Sequence, residues 1–188
     1  MNKKGAGALV FGLIALAVIV AGYFILFPSV SAGTGILKLQ ITDAPSEFNI
    51  SKALVTLSSI EVHMALGNGN NETNETNFTS GWIVVVPGPV SYDLIEIIDV
   101  KDFLGSKELN VGKYTQIRLN VESAKVTIDG TEYNLTIPSG KIKLIHPFTI
   151  EENKTTALTL DFDANESIRS AGESNKYILQ PVIRVITE

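Results

Sequence analysis

The groups in this chain whose types and spacing could do chemistry are asparagines in sequons, the acidic residues of one strand end, two histidines and a few aromatic rings. Seven Asn-x-Ser/Thr triplets occur, at Asn49, Asn71, Asn74, Asn77, Asn134, Asn153 and Asn165, and none has proline in the middle. Composition alone would give roughly two. The excess points to N-glycosylation on a surface outside the cytoplasm; the alternative is that Asn and Thr are simply frequent in exposed β loops. Asn71, Asn74 and Asn77 stand in tandem, so glycans there would sheathe one loop against proteases.

Asp161-x-Asp163-x-Asn165 places oxygen ligands at alternate positions, a pattern that suits Ca²⁺. An EF-hand would continue with Gly and Glu, where this chain has Glu166 and Gly172, and a solvated strand end entering a turn would look the same. Glu61 and His63 share a strand face, and His146 precedes Pro147. Two histidines can contribute to a metal site or one can serve as a general base, as a metal-assisted hydrolase would require. No third ligand or nucleophile stands at a recognised spacing and there is no Gly-x-Ser-x-Gly elbow, so isolated surface histidines are the plainer reading. Trp82, Tyr92, Tyr133 and Tyr177 would stack on sugar rings if they gathered on an exposed face, although buried packing is the commoner fate of such rings. The chain has no Cys, which excludes disulfides, Cys-ligated metals and a thiol nucleophile.

What must position these groups starts with the N-terminus. Residues 6–27 carry no charge. As a helix they would span about 33 Å, against a hydrocarbon core of about 30 Å. No polar face interrupts them, so they are expected to enter a membrane. Lys3 and Lys4 precede the run and place the N-terminus in the cytoplasm, with the rest outside. Three fates are open for residues 1–32: a retained anchor, cleavage after Ala32 in Val30-Ser31-Ala32, or processing near Gly5. Lys3-Lys4-Gly5-Ala6 followed by an apolar run resembles the start of archaeal type IV pilins, which implies a helix packed into a filament core with a β domain outside.

Residues 33–188 hold 13 Lys and Arg against 20 Asp and Glu, a net charge of −7. Such a domain lacks the electrostatic footprint for a phosphate backbone, so nucleic acid is not an expected partner. Leu37, Leu39 and Ile41 alternate with Lys38, Gln40 and Thr42 as a half-buried strand does. Ala53, Val55 and Leu57 alternate next; Ile60, Val62 and Met64 resume one step out of phase, which predicts a β-bulge at Ser58-Ser59. Trp82 to Val86 reads as a strand stopped by Pro87-Gly88-Pro89. Residues 91–104 fit neither period, and a short helix over 100–104 is an option. Thr115, Ile117, Leu119 and Val121 share a strand face, and Asp129-Gly130 predicts a two-residue type I′ hairpin. Ile142 and Leu144 begin another strand, and Leu158, Leu160 and Phe162 mark a later one. Residues 177–186 read as a closing strand with Pro181 at an edge or bulge. The expected fold is mostly β: an antiparallel Greek-key β-sandwich, transthyretin-like or Ig-like, over 33–188, preceded by one transmembrane or signal helix.

The ordered landmarks resemble an uncharacterised family, the domain-of-unknown-function family numbered 4382. They are Ile41-Thr42-Asp43-Ala44-Pro45, Ile60-Glu61-Val62-His63, Gly81-Trp82, the segment from Gly112 through Tyr114 and Arg118 to Leu119, Pro138-Ser139-Gly140, Leu160-Asp161-Phe162-Asp163-Ala164 and Pro181-Val182-Ile183. The resemblance implies an extracytoplasmic β domain of archaeal or bacterial exported proteins with no assigned activity, so no site residues carry over. Leu109-x-x-Gly112-x-Tyr114 also looks like the tyrosine corner of transthyretin-like sandwiches, where the hydroxyl bonds back to nearby backbone.

The function expected is that of a non-enzymatic cell-surface module, membrane-anchored or secreted. It would act in recognition or envelope assembly, with a carbohydrate or envelope partner or with copies of itself. A pilus-like filament subunit is the alternative, and a metal-assisted hydrolase the third reading. No cofactor is expected beyond the Ca²⁺ option.

Overall fold

The computed structural model describes residues 33–43, 50–65, 81–172 and 176–188. The uncharged run over 6–27 that is expected to enter a membrane, the turn expected at residues 43–45 beyond Asp43, and the sequons at Asn49, Asn71, Asn74 and Asn77 lie outside the described residues. The described chain is mostly β, arranged as a two-sheet, sandwich-like fold with almost no helix. Its strands are β1 (Thr34–Asp43), β2 (Ile50–Met64), β3 (Gly81–Asp93), β4 (Asp102–Asn110), β5 (Gly112–Ile128), β6 (Thr131–Thr136), β7 (Lys141–Ile150), β8 (Thr155–Phe162), β9 (Ile168–Ser170), β10 (Tyr177–Leu179) and β11 (Ile183–Thr187). One turn of helix, α1 (Ala164–Ser167), follows β8.

The small sheet has the order β11-β8-β1-β4. The large sheet runs β3-β2-β5-β6-β10-β9, with β7 beside the first half of β5. Alternation puts Leu37, Leu39 and Ile41 of β1 and Leu158, Leu160 and Phe162 of β8 on the inner face, all essentially without solvent contact. From the large sheet, Val55, Leu57, Ile60, Val62, Ile117 and Leu119 face them in a single apolar core. Each such side chain removed from water contributes about 1.5–3 kcal/mol. The pairing of β2 shifts between Leu57 and Ser59, so the bulge predicted at the two serines is present and keeps Ile60, Val62 and Met64 inward. Asp129 and Gly130 both have positive φ (48° and 78°), as the type I′ turn between β5 and β6 demands.

Five local expectations are corrected. The pairing is mixed, because β1 runs parallel to β8 and β6 parallel to β10. Pro87-Gly88-Pro89 does not stop β3. That strand lies at a sheet edge, where a missing N–H on the free side is tolerated. A Cβ at Gly88 would sit 2.4 Å from the Leu57 carbonyl oxygen, so only glycine lets the chain pass the β2 bulge. No helix forms over 100–104; β4 begins at Asp102. This edge strand buries only Leu104 and Leu109, and so shows no period of two. Thr115 leaves the face of Ile117, Leu119 and Val121 through a bulge between Tyr114 and Gln116. The closing segment is two strands: Pro181 breaks it, β10 joins the large sheet and β11 the small one.

Two landmark segments meet in this fold. Parallel pairing sets Asp43 opposite Phe162, and the buried Asp43 Oδ1 accepts a hydrogen bond from the Ala164 amide at 3.0 Å. That carboxylate ties the end of β1 to the first turn of α1, where a backbone donor lacks a helical partner.

Candidate functional site

The outer face of the large sheet is built from cross-strand rows. Strand pairing aligns Trp82, His63, Gln116 and Ile145 in one row. Val84, Glu61, Arg118 and Lys143 form the next, followed by Pro87, Ser59, Asn120 and Lys141. The pleat puts these residues opposite the core positions of the same strands, so polar side chains are expected there.

They form a connected network rather than a loose fringe. Arg118 Nε donates to Glu61 Oε2 at 2.7 Å, and its second guanidinium nitrogen donates to the same oxygen. Asn120 Nδ2 donates to Glu61 Oε1 at 3.0 Å and to Ser59 Oγ at 2.7 Å. The Arg118 guanidinium lies 3.9 Å from the centroid of the Trp82 ring, a cation–π contact. His63 meets that ring edge-on at 5.1 Å, and its Nδ1 lies 3.4 Å from Thr115 Oγ1. The ion pair is only 17% exposed at Arg118 and 14% at Glu61, although it sits on a nominally solvent-facing surface. Beside it, Ser58, Glu61, Arg118, Asn120, Ser139 and Lys141 line an open concavity of about 660 Å³ between the β2 bulge and the β6–β7 turn.

The other sequence-derived candidates are placed as follows. His146 Nε2 lies 2.9 Å from Thr187 Oγ1 of β11, toward the small sheet, whereas His63 is on the far face of the large one. The two histidines are therefore not brought to a common ligand position. Asp161 is 3.9 Å from Arg184. Asp163 caps α1 by accepting from the Glu166 amide at 2.9 Å. Asp161 and Asp163 share one concavity with Glu166 and Arg184, while Asn165 lies in α1 outside that lining. Of the described sequons, Asn134 is exposed on β6, Asn153 is exposed at φ 56° in the β7–β8 turn, and Asn165 is half-buried.

The four aromatic rings do not converge. Tyr133 and Tyr177 pair at 5.0 Å, joining β6 to β10, and Trp82 stands apart with Arg118. Burial, and then the nearby Asp102 carboxylate, raise the pKa of Tyr92 above the usual tyrosine value. Tyr114 is fully buried, stacks on Phe148 at 5.2 Å and donates its hydroxyl to the Asn110 carbonyl at 3.0 Å. This is the back-bond of a tyrosine corner, and burial raises the hydroxyl's pKa. The sequence reading singled out Glu61, His63 and Trp82 but gave no chemistry to Arg118, Asn120, Lys141 or Lys143. The signal available was the polar half of the alternation, Gln116, Arg118 and Asn120 in β5 and Lys141 and Lys143 in β7.

The family described as Domain of unknown function (DUF4382) matches residues 34–181. No curated protein and no solved structure matches the chain.

Proposed function

From the premise that this chain belongs to the DUF4382 family, we propose that it is a non-enzymatic cell-surface recognition module. The observation that carries the reading is the network on the outer face of the large sheet. Trp82, Arg118, Glu61, Asn120 and His63 are locked together by hydrogen bonds and ring contacts on a surface that the core does not need. Side chains held in fixed rotamers at a surface lose little entropy when a ligand arrives, which is what a binding face requires. The uncharged segment 6–27 supports placement at the membrane with the β domain outside, anchored or released. The seven sequons support glycosylation of that domain. The tyrosine corner of Tyr114 supports a transthyretin-like or Ig-like Greek-key arrangement of the sandwich.

The test is protease accessibility on intact cells, with mass spectrometry of the native protein. Cleavage from outside and sugar on the peptide are expected; an unprocessed, sugar-free protein confined to the cytosol would sink the reading. A filament subunit is the second reading, favoured by Lys3-Lys4-Gly5-Ala6 before the apolar run. It requires a mature N-terminus at Ala6, whereas an intact chain indicates an anchor and a terminus at Gly33 a secreted module.

A further inference from the structure

Within that recognition reading, we propose that the concavity beside Trp82 binds acidic glycans, chains in which sugar carboxylates are spaced among neutral sugars. This rests on the outer face of the large sheet being the binding face. Charge is the first argument. Residues 33–188 are net −7, yet this patch carries Arg118, Lys141 and Lys143 against the single carboxylate of Glu61. That carboxylate is already taken by Arg118 and Asn120. Among the described residues neither Lys141 nor Lys143 pairs with a carboxylate, and both are exposed. Two ammonium groups stay open to an incoming anion in a domain whose net charge is negative.

Shape and polarity narrow the class. Lys141 lies within the concavity and Lys143 stands one row along, so the cationic footprint is short. A continuous polyanion would run from it onto the negative remainder of the domain and be repelled. A glycan with isolated carboxylates would not. Ser58 and Ser139 donate their hydroxyls to backbone carbonyls and Asn120 uses both amide hydrogens within the network, so Ser58 Oγ, Ser139 Oγ and Asn120 Oδ1 offer lone pairs that accept from sugar hydroxyls. Trp82 stands in an adjoining row and is reached by Arg118, a residue of the concavity wall.

Trp82 is the only tryptophan in the chain, so intrinsic fluorescence reports directly on this site. The full chain in non-ionic detergent would be titrated with an oligosaccharide alternating glucuronate and N-acetylglucosamine. The same oligosaccharide with its carboxyls reduced to alcohols serves as the neutral control. A saturable fluorescence change is expected, with affinity at least tenfold weaker for the reduced sugar and for the double variant Lys141→Ala, Lys143→Ala. Both lysines are exposed, so the variant should melt as the parent does. Equal affinity for acidic and reduced sugars overturns the acidic class and leaves the recognition reading standing. Absence of any fluorescence change or calorimetric heat overturns the site. Lysine-dependent self-association at low salt without sugar also overturns the proposal, because the anion would then be a second copy of the chain.

Discussion

The outer faces of the two sheets cover the same core with different chemistry. On the large sheet, polar residues are tied into a network whose ion pair is 14–17% exposed. On the small sheet, Ile36, Phe103 and Ile186 stand 46%, 53% and 40% exposed, and the Arg184–Asp161 pair spans 3.9 Å with Arg184 80% exposed. Exposed apolar side chains do not separate the two faces, since the large sheet carries Val84 at 39% and Ile145 at 84% exposure. The geometry picks the first, because organisation rather than apolarity holds groups where a ligand can use them. Two guanidinium donors on one largely buried carboxylate oxygen keep one rotamer, while a long solvent-exposed pair gains almost nothing over water.

Removing the cation at the centre of the network should have the largest effect. Arg118→Met leaves the Glu61 carboxylate without a countercharge, held by Asn120 and, more weakly, by the Ser59 hydroxyl. A loss of about 2 kcal/mol is expected, since hydrogen bonds to charged groups carry roughly that much. Urea denaturation measures it, and Glu61→Gln in the same background should recover part of the loss through a coupling term. A change below about 0.5 kcal/mol would make the two faces equivalent and end the comparison. Trp82→Ala comes next, at about 1 kcal/mol from the lost cation–π contact. It should also leave the Arg118–Glu61 coupling more sensitive to salt, because a pair opened to water is screened.

Much of this architecture was legible in the sequence, and the illegible parts share a physical cause. The phase slip at Ser58-Ser59 announced the β2 bulge because one face is buried, and a one-residue shift there would turn Ile60, Val62 and Met64 outward. Asp129-Gly130 announced its hairpin because few residues accept two positive φ values. By contrast β4, the passage of β3 through Pro87-Gly88-Pro89 and the parallel β1–β8 pair depend on which strand lies at an edge or beside which neighbour. Local periodicity carries none of that. The site was half legible for the same reason. Glu61, His63 and Trp82 stood out as residue types, but only the alignment of β3, β2, β5 and β7 brings Arg118, Asn120, Lys141 and Lys143 to them.

Acid sharpens the comparison from the small-sheet side. Glu188 accepts hydrogen bonds from Lys101 and from Thr159, the latter at 2.9 Å, and these contacts lower its carboxyl pKa below the ordinary value of 4.5. A carboxylate with a depressed folded-state pKa stabilises the fold above its unfolded pKa, and that contribution is lost as pH falls through the folded value. Loosening at the end of β11 is therefore expected on acidification below about pH 4.5, the ordinary value. Amide exchange across Val185 and Ile186 would show it. In Glu188→Gln the acid dependence at these amides should disappear; if it persists unchanged, another carboxylate holds β11.

The smallest effect is expected at the exposed apolar side chains of the small sheet. Phe103 pairs with Gln40 across the edge of the small sheet at 53% exposure, so serine there forfeits only part of one side chain's burial. Phe103→Ser should change unfolding free energy by no more than about 0.5 kcal/mol, as surface substitutions do. Sugar titration of this variant should match the parent, because its strand pairing is confined to the small sheet. A destabilisation above about 2 kcal/mol would mean that the exposed rings and aliphatics are covered in the working protein. The organised face of the large sheet would then be the scaffold and the small-sheet face the interface, with the roles assigned to the two sheets exchanged.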